Sequence, residues 1–119
     1  MMIRLLFLAM IAPVCLGSNQ ALSQVKSHSG GALLNACRSI GTANITTDTL
    51  MTQAGLCEGA INATAILLKG VTYCPPGEVN FEQTLKIVVA YMEDHPSELN
   101  EELVLLATRA LTNTWPCKR

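Results

Sequence analysis

The side chains in this sequence able to do chemistry are five cysteines, two histidines and nine carboxylates in 119 residues. A nucleophilic centre needs a base beside the nucleophile and an acid to orient that base. His28 lies in a polar N-terminal segment, and His95 precedes Pro96 at a corner, where it either caps a helix or faces solvent. Glu93 and Asp94 adjoin His95, but sequence neighbours on a helix do not converge on one point, so neither catalysis nor metal binding is read there. There is no C-x-x-C pair to hold zinc or run redox exchange, and no glycine-rich phosphate loop following a strand. Asn44-Ile45-Thr46 and Asn62-Ala63-Thr64 match the glycosylation sequon by chance. The expectation is a protein with no catalytic residue, no metal and no cofactor, hence not an enzyme.

What the cysteines do depends on the compartment, and the N-terminus sets it. The sequence opens M-M-I-R-L-L-F-L-A-M-I-A-P-V-C-L-G, one positive charge followed by an apolar run of about a dozen residues and then small and polar ones. That order is the order of a secretory signal peptide. The run is shorter than the roughly 20 residues that cross a bilayer as a helix, and a hydrophobic core helix is the plainer alternative. Cleavage sites present themselves after Gly17, Ala21 or Ser23. Ala21-Leu22-Ser23 has small residues at the third and first positions before the cut, giving a signal over residues 1–23 and a domain over 24–119. Cys15 follows a bulky Val14, a poor lipoprotein signal, and is assigned to the removed segment. The domain keeps 7 basic and 9 acidic residues, a balance that excludes the basic face of a nucleic-acid binder. No later stretch is apolar for long enough to anchor it in a membrane.

Four cysteines then remain, Cys37, Cys57, Cys74 and Cys117, and in an exported protein two disulfides are expected. Apolar periodicity puts them on four helices. The first starts at Ser29 as N-cap and breaks at Gly41. The second runs over 49–69 to Gly70, with Leu56, Ala60, Ala63 and Leu67 as a face that is small at its centre, where Gly59 and Ala63 would admit another helix. After Tyr73-Cys74-Pro75-Pro76-Gly77, Asn80 and Gln83 form a capping box for a third helix burying Phe81, Leu85, Val88 and Met92. The fourth restarts at Ser97 and buries Leu99, Leu103, Leu106, Ala107, Ala110, Leu111 and Trp115. Four cysteines allow three pairings. Cys57 and Cys74 would lie roughly 18 Å apart along the second helix, beyond the Cα separation of about 7 Å that a disulfide spans. Short connections favour antiparallel neighbours, and that up-down arrangement selects Cys37–Cys57 and Cys74–Cys117. The expected fold is all-α, a small four-helix up-down bundle.

Five of the nine acids fall within 93–102: Glu93, Asp94, Glu98, Glu101 and Glu102. Acids in the first turn of the fourth helix would stabilise it through the helix dipole. The same run, with His95, would also make an acidic docking edge that steers a basic partner.

The motifs L-L-N-A-C, C-E-G-A-I, Y-C-P-P-G-E-V-N-F-E-Q, A-Y-M-E-D-H-P-S-E-L and R-A-L-T-N-T-W-P-C occur in this order over residues 33–117. As an ordered set they resemble the Rap/Tai family of bacterial immunity proteins. Ala60 departs from the aromatic, and Ala63 from the second glycine, common in that family. The resemblance implies an exported, disulfide-bonded, helical protein of the Gram-negative periplasm, homodimeric, that binds and blocks a peptidoglycan amidase delivered by type VI secretion. The competing expectation is a non-catalytic envelope protein with a chaperone-like or lipid-binding role, which a cavity lined by Leu67, Val88 and Leu106 would favour.

Overall fold

In the computed structural model, which describes residues 27–42 and 44–118, four helices follow one another: α1 (Gly30–Ser39), α2 (Asp48–Leu68), α3 (Phe81–Asp94) and α4 (Leu103–Thr114), with a 3-10 turn at Pro96–Glu98 before α4. No strand forms among the described residues. The signal reading over 1–23, Cys15 included, lies outside them.

Local chemistry sets the ends of these helices. The Ser29 hydroxyl accepts the Ala32 amide at 3.2 Å and so caps α1. Asn80 and Gln83 exchange side-chain-to-backbone hydrogen bonds of 2.9 and 3.1 Å, the reciprocal box read from their spacing. Lys69 closes α2, and Gly70 follows with φ +78°, a left-handed conformation that costs a glycine little. Its amide donates to the Tyr73 carbonyl at 2.8 Å, turning the chain sharply towards Cys74.

Each helix contributes its inner stripe to one core: Leu33 and Cys37 from α1, Cys57 and Ile61 from α2, Leu85, Val88 and Met92 from α3, and Leu103, Leu106, Ala107 and Ala110 from α4. Fully burying an aliphatic side chain of this size contributes about 1.5–3 kcal/mol. Among the described residues no aromatic ring is fully buried. The rings sit at the margins, where Tyr73 packs beside Trp115 with centroids 6.4 Å apart and donates its hydroxyl to the Ala65 carbonyl at 2.6 Å. Burial pushes the Tyr73 phenol above its ordinary value.

Both disulfides are those selected by the up-down argument. Cys37 and Cys57 have Cα atoms 5.6 Å apart, and Cys74 and Cys117 4.8 Å apart. Cys57 lies in the middle of α2 rather than at its start, so the first bond staples α1 across the waist of its neighbour. The second ties the chain after α2 to the chain after α4, where the Cys74 amide also donates to the Trp115 carbonyl at 2.8 Å.

Two sequence expectations about the helices themselves fail, one of phase and one of start. The inner face of α2 is Ala54, Cys57, Ile61 and Thr64. Leu56, Ala63 and Leu67 point outward, and Ala60 is only half-buried. The helix is apolar nearly all round, so periodicity alone did not fix its phase; the Cys57 bond to α1 does. The second failure is the start of α4, which lies at Leu103 and not at Ser97. Leu99 and Glu101 turn their carbonyls to the amides of Gly31 and Gly30, at 2.8 and 2.9 Å, while the Leu103 amide donates to the His28 carbonyl at 3.0 Å. The two helix starts thus satisfy each other's free amides. Glu102 is held extended, with φ −59° and ψ 138°, which ends any helix coming from Ser97.

Candidate functional site

The acidic run wraps the corner between α3 and α4, and the backbone exchange just described holds the α4 side of that corner against the start of α1. Gly30 and Gly31 make the approach feasible. A Cβ on Gly30 would run into Leu106 Cδ1 and stand 3.1 Å from the Met92 sulfur, and one on Gly31 would stand 3.2 Å from the Leu99 carbonyl oxygen.

Within the corner, Tyr91 and His95 stack with ring centroids 4.0 Å apart and planes 18° from parallel. His95 Nδ1 lies 2.8 Å from the Tyr91 carbonyl. A carbonyl only accepts, so Nδ1 carries the proton and His95 caps the last turn of α3, one of the two roles read for it. The Tyr91 hydroxyl donates to Glu98 Oε2 at 2.7 Å. Arg109 of α4 reaches that same oxygen at 3.5 Å and Glu101 Oε1 at 3.8 Å. The Tyr91 hydrogen bond, with help from the Arg109 and His95 charges, holds the Glu98 carboxyl below the usual carboxylate range against some desolvation. Tyr91 is pushed above the ordinary phenol value, first by its bond to the Glu98 carboxylate, then by desolvation.

The five carboxylates therefore divide. Glu93 faces the other way and pairs with Arg38 of α1 at 2.7 Å, tying α1 to α3. Glu98 and Glu101 hold Arg109. Asp94 is exposed and Glu102 half-buried, and among the described residues no cation pairs with either. Five acids against Arg38 and Arg109 leave the edge negative. The first-turn role expected for Glu98, Glu101 and Glu102 is corrected: the first turn of α4 contains no acid, and Glu102 precedes it without a side-chain cap bond.

Sequence reasoning missed Tyr91, Arg109 and Arg38 as parts of this corner. One signal was available. Arg109 is the only basic residue between Lys86 and Lys118, and a single cation on the helix after an acidic run will be drawn to it. Tyr91 and Glu98, seven apart, meet only because Pro96 folds the chain back between them.

Among the described residues no three His, Cys, Asp or Glu side chains gather as a metal site would require, and His95, Glu93 and Asp94 do not converge. No helix among them is long and apolar enough to cross a membrane. The cavity anticipated between Leu67, Val88 and Leu106 does not have those walls: Val88 and Leu106 are fully buried, whereas Leu67 is 72% exposed on the far side of α2.

A family model described as Rap1a immunity proteins matches residues 29–117. That span runs from the α1 N-cap to the last cysteine and includes the whole corner. No curated protein and no solved structure matches the chain.

Proposed function

From the membership of this chain in the Rap1a immunity protein family, we propose that it is a periplasmic immunity protein of type VI secretion that binds and blocks a peptidoglycan amidase effector. The family match is the observation that carries the reading. It covers the four helices, both disulfides and the α3–α4 corner in one span. Two disulfides suit an exported protein, and residues 1–23 would be the signal that takes it there.

The physical task of such a protein is occlusion. An inhibitor needs a rigid, shaped edge that loses little freedom on binding. At the corner, the stacked Tyr91–His95 pair and the Tyr91–Glu98–Arg109 chain supply rigidity, with Asp94 and Glu102 as carboxylates to spare. Asp94, His95, Glu98, Glu101 and Glu102 form the partner-facing edge, a negative rim that speeds encounter with a basic surface, while Glu93, first counted with them, is turned away to Arg38. The inhibitory unit is a homodimer.

The unequal roles of the five acids give a direct test. Asp94→Asn combined with Glu102→Gln leaves both Arg109 contacts and the Arg38–Glu93 pair in place. We expect weaker binding to the amidase, mainly through a slower on-rate that added salt abolishes, with an unchanged melting temperature. Full affinity in that variant would remove the corner from the interface.

A further inference from the structure

The two disulfides differ in what covers them. Cys37 and Cys57 are 1% and 0% exposed and sit in the core with Leu33, Ile61 and Val88. Cys74 and Cys117 are only half-buried, between the chain leaving α2 and the chain leaving α4. Lys118, exposed, directly follows Cys117. Thiol–disulfide exchange begins with a thiolate reaching a sulfur, so access governs it, and exposed bonds are the labile ones. A thiolate in solution can approach the outer pair, and the Lys118 charge attracts it there. The inner pair is closed to it until the helices part.

The outer bond is not the only tie between its two segments. The Cys74 amide donates to the Trp115 carbonyl at 2.8 Å. Tyr73 bridges to Pro116 across the same segments, and its ring packs beside that of Trp115. With the bond open, these contacts keep the two thiols close, so closure stays intramolecular. Opening nonetheless returns to the unfolded chain the freedom that a 43-residue span withheld. The opened protein is less stable, and its unfolding is what exposes the inner bond.

We propose that Cys74–Cys117 is a redox-accessible latch: a dithiol reductant opens it in the folded protein, and Cys37–Cys57 gives way only afterwards, through unfolding. In the exchange, one reductant thiolate attacks the Cys117 sulfur, the S–S bond breaks and Cys74 leaves as a thiolate. The second reductant thiolate attacks the mixed disulfide and releases Cys117. Two electrons pass from the reductant to the cystine. The reductant ends as a disulfide, and its two protons end on Cys74 and Cys117. The latch ties the lifetime of the folded chain to the thiol balance around it, whatever the chain binds.

The test uses the exported, oxidised wild-type protein and dithiothreitol, with free thiols trapped by N-ethylmaleimide and located by peptide mapping. Cys74 and Cys117 should become labelled together, at least about ten-fold faster than Cys37 and Cys57. Every chain with its inner bond open should already have its outer bond open. Urea below the unfolding transition should leave the outer rate nearly unchanged and raise the inner one, because only the inner bond waits for the helices to part. Replacing dithiothreitol with oxidised glutathione should close Cys74–Cys117 again and restore the melting temperature. Four cysteines labelled at one rate, rising alike with urea, would put both bonds behind one unfolding event and overturn the latch. Chains with the inner bond open and the outer one closed would overturn it as well. An opened pair that fails to re-form in chains still holding Cys37–Cys57 would overturn its reversibility.

Discussion

A methyl group at Gly30 would enter space already held by Leu106 and Met92, at the point where α1 meets the corner. Overpacking of this kind costs about 1–3 kcal/mol, so Gly30→Ala should lower the melting temperature by at least about 4 °C, checked by thermal denaturation. A variant as stable as wild type would mean that the corner is not pinned there. Tyr91→Phe removes the donor to Glu98, and its effect should depend on pH in a defined sense. Glu98 has a lowered folded value, so its contribution is present above about pH 4.3, where an unfolded glutamate ionises, and is lost as pH falls through the folded value. Tyr91 has a raised one, so its contribution is present below about pH 10 and lost as pH rises through the folded value. Tyr91→Phe should therefore destabilise at pH 7, and the gap to wild type should close as pH falls through the folded Glu98 value. A gap that persists at low pH would place the effect in packing. At this scale the caps at Ser29 and Asn80 were legible because capping is local. Tyr91, Arg109 and Gly30 were not, because their partners lie 7, 11 and 76 residues away in Glu98, Glu98 again and Leu106.

For whole elements, the sequence signal was strongest where a polar face opposes an apolar one. The α3 stripe of Leu85, Val88 and Met92 is buried as its period required, with Phe81 half-buried at its start. Asn80→Ala removes the half of the α3 capping box in which its side chain accepts the Gln83 amide, keeps the backbone N–H that donates to Gln83, and should cost about 1 kcal/mol, measured by urea unfolding. No loss would mean that packing alone starts the helix. In α2 the period carries little information, since nearly every side is apolar, and the phase comes from a bond to another helix. The α3–α4 corner misled for a different reason. Acids after a proline favour a helix locally, but the carbonyls of Leu99 and Glu101 are drawn into capping α1. A tertiary demand overrides the local one.

Over the whole molecule, the all-α architecture and both disulfides follow from helix count, helix length and the reach of a cystine. The bonds close spans of 20 and 43 residues, contributing about 3 and about 4 kcal/mol in the chain-entropy account. Against a typical total of 5–15 kcal/mol, replacing Cys74 and Cys117 with alanine should leave a domain near the limit of folding. Replacing Cys37 and Cys57 should cost somewhat less. The outside of the molecule was less legible than its inside, because a surface is shaped by what binds it. The acidic run announced an edge, but only the fold shows which carboxylates are committed to Arg38 and Arg109. The proposed function requires that this outside block an enzyme. It is tested most directly by titrating the exported, oxidised protein into a type VI peptidoglycan amidase and following peptidoglycan cleavage. Cleavage should fall to zero at one chain per enzyme. Undiminished cleavage in the presence of excess folded protein would contradict it.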